Sequence, residues 1–93
     1  MYKMNKYFVE FLGTMFLMFV ILASGHWAAI GAALAIAALL GSAISGGAFN
    51  PAVAISLYAA GKMSKSDVLP YVIVEILGAL AAFYVYKKFV KKE

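Results

Sequence analysis

Ser45-Gly46-Gly47-Ala48-Phe49-Asn50-Pro51-Ala52 interrupts a chain that is otherwise almost continuously apolar. Asn is a leading N-cap residue, and Pro is favoured at the first helical position because its missing N–H would have no partner there. Asn-Pro-Ala after a glycine-rich approach therefore starts a helix abruptly at Asn50. A helix start carries unpaired N–H groups and the positive end of the helix dipole. At membrane depth such backbone is tolerated only where protein buries it or a water-filled cavity solvates it. A helix that begins inside a bilayer points to a pore or a binding site.

The composition places this start in a bilayer. The chain has 93 residues, enough for one small domain, and 66% of them are apolar. Three apolar segments, about 7–25, 27–45 and 68–86, each approach the ~20 residues that span a hydrocarbon core. Gly25-His26 leaves almost no loop between the first two, which makes them a tight antiparallel hairpin. The shorter segment Asn50–Ala60, at ~1.5 Å per residue, reaches roughly half the bilayer thickness. Gly61 then offers a C-cap, and Lys62, Lys65 and Asp67 mark the return to water. Residues 46–60 thus form a re-entrant loop and half-helix whose two ends emerge on one face. Ser66 or Asp67 is the expected cap of the last helix, with Pro70 in its first turn. The second segment, rich in small residues (Gly31, Ala32, Ala35, Ala38, Gly41, Ser42), is expected at the centre of the bundle, because small residues let membrane helices approach closely.

Other features narrow the class. With no Cys, disulfide and thiol chemistry are excluded. No metal-ligand cluster or cofactor motif occurs. All eight basic residues are Lys, and they flank the apolar runs, where headgroup contact accounts for them without nucleic acid. Trp27, Tyr2, Tyr7, Tyr84 and Tyr86 fall near the expected membrane interfaces, as does His26. Lys3 and Lys6 before an apolar run resemble a signal peptide, but the run is too long and Glu10 interrupts it, so a retained helix is expected. Glu10 and Glu75 are the only carboxylates inside spanning segments, where acids are expensive and are functional suspects by default.

On these motifs the chain resembles the aquaporin and glycerol-facilitator (major intrinsic protein) family over essentially its whole length. Glu10-Phe11-Leu12-Gly13-Thr14 matches the family's first-helix signature. Ser45-Gly46 through Asn50-Pro51-Ala52-Val53 matches its first half-helix loop, and Glu75-Ile76-Leu77-Gly78-Ala79 is similar to its third-helix motif, which usually has Gln in place of Glu. The family fold is two inverted repeats of three spanning helices and one half-helix, and this chain looks like one repeat. Two departures stand out. Ala48 occupies the place of a usual His, and Val53 stands where the second repeat carries a selectivity-filter Arg. The starting Met and the basic tail are those expected of a complete small protein.

The resemblance implies an all-α membrane protein completed by an inverted second copy, with no enzyme activity, cofactor or metal. The Lys count agrees with insertion in both orientations: Lys3, Lys6, Lys62 and Lys65 fall on one side, and Lys87, Lys88, Lys91 and Lys92 on the other, four against four. Orientation follows such bias, and here there is none. The alternatives are Lys that merely flanks membrane helices, and a heterodimer with a separate second half. In the pore, Asn50 would cap its own helix and donate its amide to a passing solute. The carbonyls of Gly46, Gly47, Ala48 and Phe49, in an extended segment, would offer acceptors. By family spacing the constriction falls on Ile30 of one subunit with Ala38, Gly47 and Val53 of the other, the alternative for Ile30 and Ala38 being lipid or helix contact. Glu10 and Glu75 are expected as structural buried acids, since the family's equivalents of Glu10 accept hydrogen bonds from the re-entrant loop. The expected function is a passive channel for water and small uncharged solutes such as glycerol. It would be built as four inverted homodimers, eight chains, in the cytoplasmic (plasma) membrane. A proton-coupled transporter using Glu10 and a non-conducting membrane subunit are the competing readings.

Overall fold

The computed structural model describes residues 5–91. Lys3, Lys92 and Tyr2, named above for charge balance and interface, lie outside the described residues. The chain forms four helices, α1 (Lys6–Ser24), α2 (Trp27–Ser45), α3 (Pro51–Ala59) and α4 (Lys65–Phe89), and no strand among the described residues. Three of them, α1, α2 and α4, are long and apolar enough to cross a membrane.

Each boundary has a local chemical cause. Asn5 caps α1, its Oδ1 accepting from the N–H groups of Tyr7 at 2.7 Å and Phe8 at 3.4 Å. The helix ends at Gly25, whose φ of 60° is costly for any residue with a Cβ. His26 follows at once and caps α2, its Nδ1 accepting from Ala28 N–H at 3.2 Å. So the two-residue hairpin consists of one helix's stop and the next helix's start. At the end of α3, Gly61 N–H donates to Tyr58 C=O and Lys62 N–H to Leu57 C=O, with Gly61 at φ 77°. This paired closure uses up the last carbonyls of the short helix.

Two expectations for α4 are corrected. It begins three residues before position 68 and runs to Phe89, with Ser64 rather than Ser66 or Asp67 at the N-cap, so Pro70 lies inside the helix beyond the first turn. Asp67 is instead committed to α1: it accepts from Lys6 Nζ at 2.8 Å and from Tyr7 OH at 2.7 Å. Tyr7 also meets Tyr71 edge-on, with ring centroids 5.7 Å apart. Tyr7 therefore joins two helices and is more than an interface aromatic.

Packing within the chain is centred on α1, which contacts both α2 and α4, while α3 packs on α4. The expectation of a central α2 is corrected: α2 packs on no helix but α1. Its buried residues are Ala33, Ala37, Gly41 and Ser45, a single stripe at i, i+4 spacing. Of the small residues that composition singled out, Gly31, Ala32, Ala35 and Ser42 are exposed. Small-residue content marks α2 as able to pack closely, but only one stripe does so inside one chain.

α1 and α4 cross at Gly78. A Cβ there would fall 2.5 Å from the Phe11 carbonyl oxygen, a backbone atom that cannot turn aside. Gly78→Ala should therefore push the helices apart at a cost of about 1–3 kcal/mol. A fall in the thermal unfolding midpoint of the lipid- or detergent-held protein checks this, and an unchanged midpoint refutes the close crossing.

Candidate functional site

The loop between α2 and α3 is built around a buried acid. Glu10 on α1 has no exposed surface. Its Oε1 accepts from Phe49 N–H at 2.7 Å, and its Oε2 accepts from Ala48 N–H at 3.2 Å and from the Ser45 hydroxyl at 2.7 Å. Ser45 Oγ in turn accepts from Gly47 N–H at 3.2 Å. From the opposite side, Tyr71 of α4 donates its hydroxyl to the Ser45 carbonyl at 2.6 Å. Loop backbone that neither helix nor sheet can pair is thus satisfied by side chains from α1, α2 and α4. A buried polar group left unpaired costs ~1–3 kcal/mol, so this satisfaction is a condition for the loop to exist here.

The loop is not the extended segment that the sequence led us to expect. Gly46, Gly47 and Phe49 have φ of 87°, 69° and 52°. Positive φ at a bulky non-glycine residue is a strained conformation, of order 1–3 kcal/mol. Two contacts hold Phe49 in it: its N–H is fixed by Glu10, and its ring is seated where Gly13 and Gly41 carry no side chain. A Cβ at Gly13 would collide with the Phe49 ring, and one at Gly41 would lie 3.1 Å from it. The Glu-Phe-Leu-Gly-Thr run of α1 accordingly has physical roles at three positions. Glu10 takes up the loop donors, Gly13 receives the Phe49 ring, and the Thr14 Cβ faces Gly78 at the crossing with α4.

Asn50 follows at φ −162° and caps α3, Oδ1 accepting from Ala52 N–H at 2.8 Å. With Pro51 first in the helix, the start that the sequence announced is the one that forms. Asn50 is exposed, and its Oδ1 is the atom spent on the cap. Asn50 and Pro51 line a cavity of about 270 Å³ with Thr14, Glu75 and Ala79, residues from the middle of α1 and α4. The short helix therefore begins at mid-height between two long ones. It returns through Gly61 to the start of α4.

The remaining candidates are dispersed. Ala52 and Val53 are exposed on α3, Ala48 is buried beside Ala54 and Tyr71, and Gly47 is half-buried. Ile30 and Ala38 are half-buried on α2. Since α2 does not pack on α3, one chain does not bring Ile30 or Ala38 to Val53. Glu75 is fully buried, and among the described residues neither of its carboxyl oxygens has a hydrogen-bond partner. Sequence reasoning missed Ser45, Tyr71 and the Lys6–Asp67–Tyr7 cluster. Nothing in their local sequence marks partners that lie 26 to 61 residues away.

Three crossing-length apolar helices and a half-length helix starting between them define a membrane protein with a re-entrant segment. The chain belongs to the major intrinsic protein family, whose model matches residues 25–93, and it is an integral membrane protein of that family of channels. It is 38% identical to glycerol uptake facilitator protein-like 6 of Lactiplantibacillus plantarum, over 94% of this chain and 44% of the relative. It is 38% identical to aquaporin Z of Brucella melitensis, over 85% of this chain and 41% of the relative. Aquaporin AqpM of Methanothermobacter thermautotrophicus is 46% identical over 67% of this chain and 27% of its own length. The chain thus spans less than half the length of these curated relatives. No solved structure matches it.

Glu10→Ala should leave the buried Ala48 and Phe49 N–H groups without their acceptor, at ~1–3 kcal/mol each, while the Ser45 hydroxyl keeps the Gly41 carbonyl at 3.3 Å. Amide hydrogen exchange at Ala48 and Phe49 should then accelerate well beyond that of α1 and α4. Unchanged protection of those two amides would refute the clasp.

Proposed function

We propose that this chain is one half of a passive channel for water and small neutral solutes such as glycerol, completed by a second copy in the opposite orientation. The observation that carries the reading is an exposed Asn50 at the start of a half-length helix, lining a cavity with residues from the middle of α1 and α4. In an inverted pair two such amides face each other, and each can donate to a solute oxygen while its own Oδ1 caps α3. The carbonyls of Gly46, Gly47, Ala48 and Phe49 would supply acceptors along the path. Opposed helix N-termini raise the energy of a cation between them. Relatives named for aquaporin and glycerol uptake, each more than twice the matched length, support both the solute class and the need for a second half.

The surface supports the same assembly. Leu39 and Leu40 are 82% and 72% exposed, and the small-residue face of α2 is uncovered, which suits lipid and a closely approaching second chain. The constriction would combine Ile30 of one chain with Ala38, Gly47 and Val53 of its partner. No Arg is present there, so size and neutrality would set the limit. Four such dimers, eight chains, form the proposed assembly in the cytoplasmic membrane. Glu10 spends both oxygens on loop donors, which supports an anchoring role over proton coupling.

Two experiments test this. Reporters fused to the C-terminus should appear on both sides of the membrane in comparable amounts, and a single fixed orientation would overturn the homodimer. Purified protein in liposomes should pass both water and glycerol. Asn50→Leu, which removes a cap worth ~1 kcal/mol, should leave the chain folded and cut both fluxes sharply. Flux at the unmodified rate would show that Asn50 does not line the path.

A further inference from the structure

We infer that Asp67 is a positioning residue for the re-entrant loop: it fixes Tyr7 against Tyr71, and Tyr71 holds the last carbonyl of α2, where the path to Asn50 begins. A continuous run of contacts leads inward from the starts of α1 and α4. Asp67 accepts from Lys6 Nζ at 2.8 Å through one oxygen and from Tyr7 OH at 2.7 Å through the other. The Tyr7 ring meets the Tyr71 ring edge-on, with centroids 5.7 Å apart. Tyr71, which is 3% exposed, donates its hydroxyl to the Ser45 carbonyl at 2.6 Å.

Each contact restricts the next for a physical reason. A carboxylate already held by an ammonium gives the Tyr7 hydroxyl a fixed, charge-assisted acceptor. That bond sets the direction of the Tyr7 ring, and an edge-to-face pair loses its attraction when either ring turns. Tyr71 is further confined by Ala48 of the loop and Ala54 of α3, with Tyr7, Leu57 and Met63 packed around them. The same packing that buries its ring aims its hydroxyl at Ser45.

Ser45 matters because α2 ends there. The carbonyls of a helix's last turn have no partner within the helix, and α2 packs on no helix but α1. The Tyr71 bond therefore ties the end of α2 across to α4. The Ser45 hydroxyl accepts from Gly47 N–H at 3.2 Å and donates to Glu10 at 2.7 Å. A shift of Ser45 thus disturbs the donors that Glu10 gathers, and with them the segment that leads to Asn50.

The loop accordingly has two anchors. Glu10 reaches it directly from α1, and Asp67 reaches it from the start of α4 by way of two tyrosines. The Lys6–Asp67 pair adds little stability of its own, since the Lys6 side chain is 42% exposed and water screens such pairs. Its effect on the loop passes through the Tyr7 hydroxyl.

The test uses the full chain in lipid, with amide hydrogen exchange read at Gly47, Ala48 and Phe49 and, for reference, in the middle of α1 and α4. Asp67→Ala should accelerate exchange at the three loop amides several-fold and leave the reference amides unchanged. Asp67→Asn keeps an acceptor for the Tyr7 hydroxyl and gives up only the charge, so it should restore most of the protection. Tyr7→Phe, which keeps the ring and removes the hydroxyl, should reproduce Asp67→Ala, and it carries the test if Asp67→Ala fails to fold. Loop protection unchanged in both Asp67→Ala and Tyr7→Phe, an equal loss in loop and helices, or no rescue by Asp67→Asn overturns the inference. The flux arm rests on the channel reading: Asp67→Ala should lower water and glycerol flux several-fold, and Asp67→Asn should restore it. Loop amides that respond as expected, with no flux in the unmodified chain, support the positioning role and overturn the channel reading alone.

Discussion

A helix can begin between other helices only if the backbone leading to it is satisfied, and in this chain Glu10 meets that constraint. The segment from Gly47 to Phe49 belongs to no helix or sheet, and its amides have no ladder to join. Two of them end on one carboxylate, a third on the Ser45 hydroxyl that the same carboxylate holds. Charge-assisted bonds of this kind are roughly twice as strong as neutral ones. The half-helix, its exposed Asn50 cap and the cavity beside it all follow from that anchor.

The anchor also explains why strain is tolerated. Phe49 adopts a left-handed conformation that a free chain avoids, yet the N–H bond to Glu10 and the space above Gly13 and Gly41 leave its ring no better place. α1 supplies both the acid and the space. It is consequently the hub of the chain, touching α2 and α4 and fastened to α4 again through Lys6, Tyr7 and Asp67. The small buried clusters around Phe49 and Tyr71 are modest for 93 residues. Much of the apolar surface of the single chain is exposed.

That unfinished surface bears on the relation to longer relatives. The chain matches less than half of each. It carries one half-helix with one Asn-Pro-Ala start, and one chain does not bring Ile30 or Ala38 to Val53. In the proposed channel an inverted second copy would supply those positions, provided that the balanced Lys distribution lets the chain insert both ways.

The helices, the hairpin at Gly25-His26 and the abrupt start at Asn50-Pro51 were legible because each depends on neighbours in sequence: runs of apolar residues, a cap, a proline and a glycine at a stop. The buried placement of Glu10 and Glu75 was suspect from their setting in apolar segments, but their surroundings were not. Which donors reach Glu10, why Phe49 is bent, and why Asp67 serves Lys6 and Tyr7 in place of capping its own helix all depend on residues far apart in the chain. The position of α2 shows the same division. Its small residues are evident from composition, but the stripe Ala33-Ala37-Gly41-Ser45 is selected only by where α1 lies. The sequence by itself determined where α1, α2 and α3 begin and end, since those are short-range hydrogen-bonding problems, whereas the start of α4 was displaced to Ser64 with Asp67 drawn to Lys6 and Tyr7. Only the tertiary structure decided which buried polar groups meet, because burial removes water as a partner and leaves the choice to whatever the packing brings within reach.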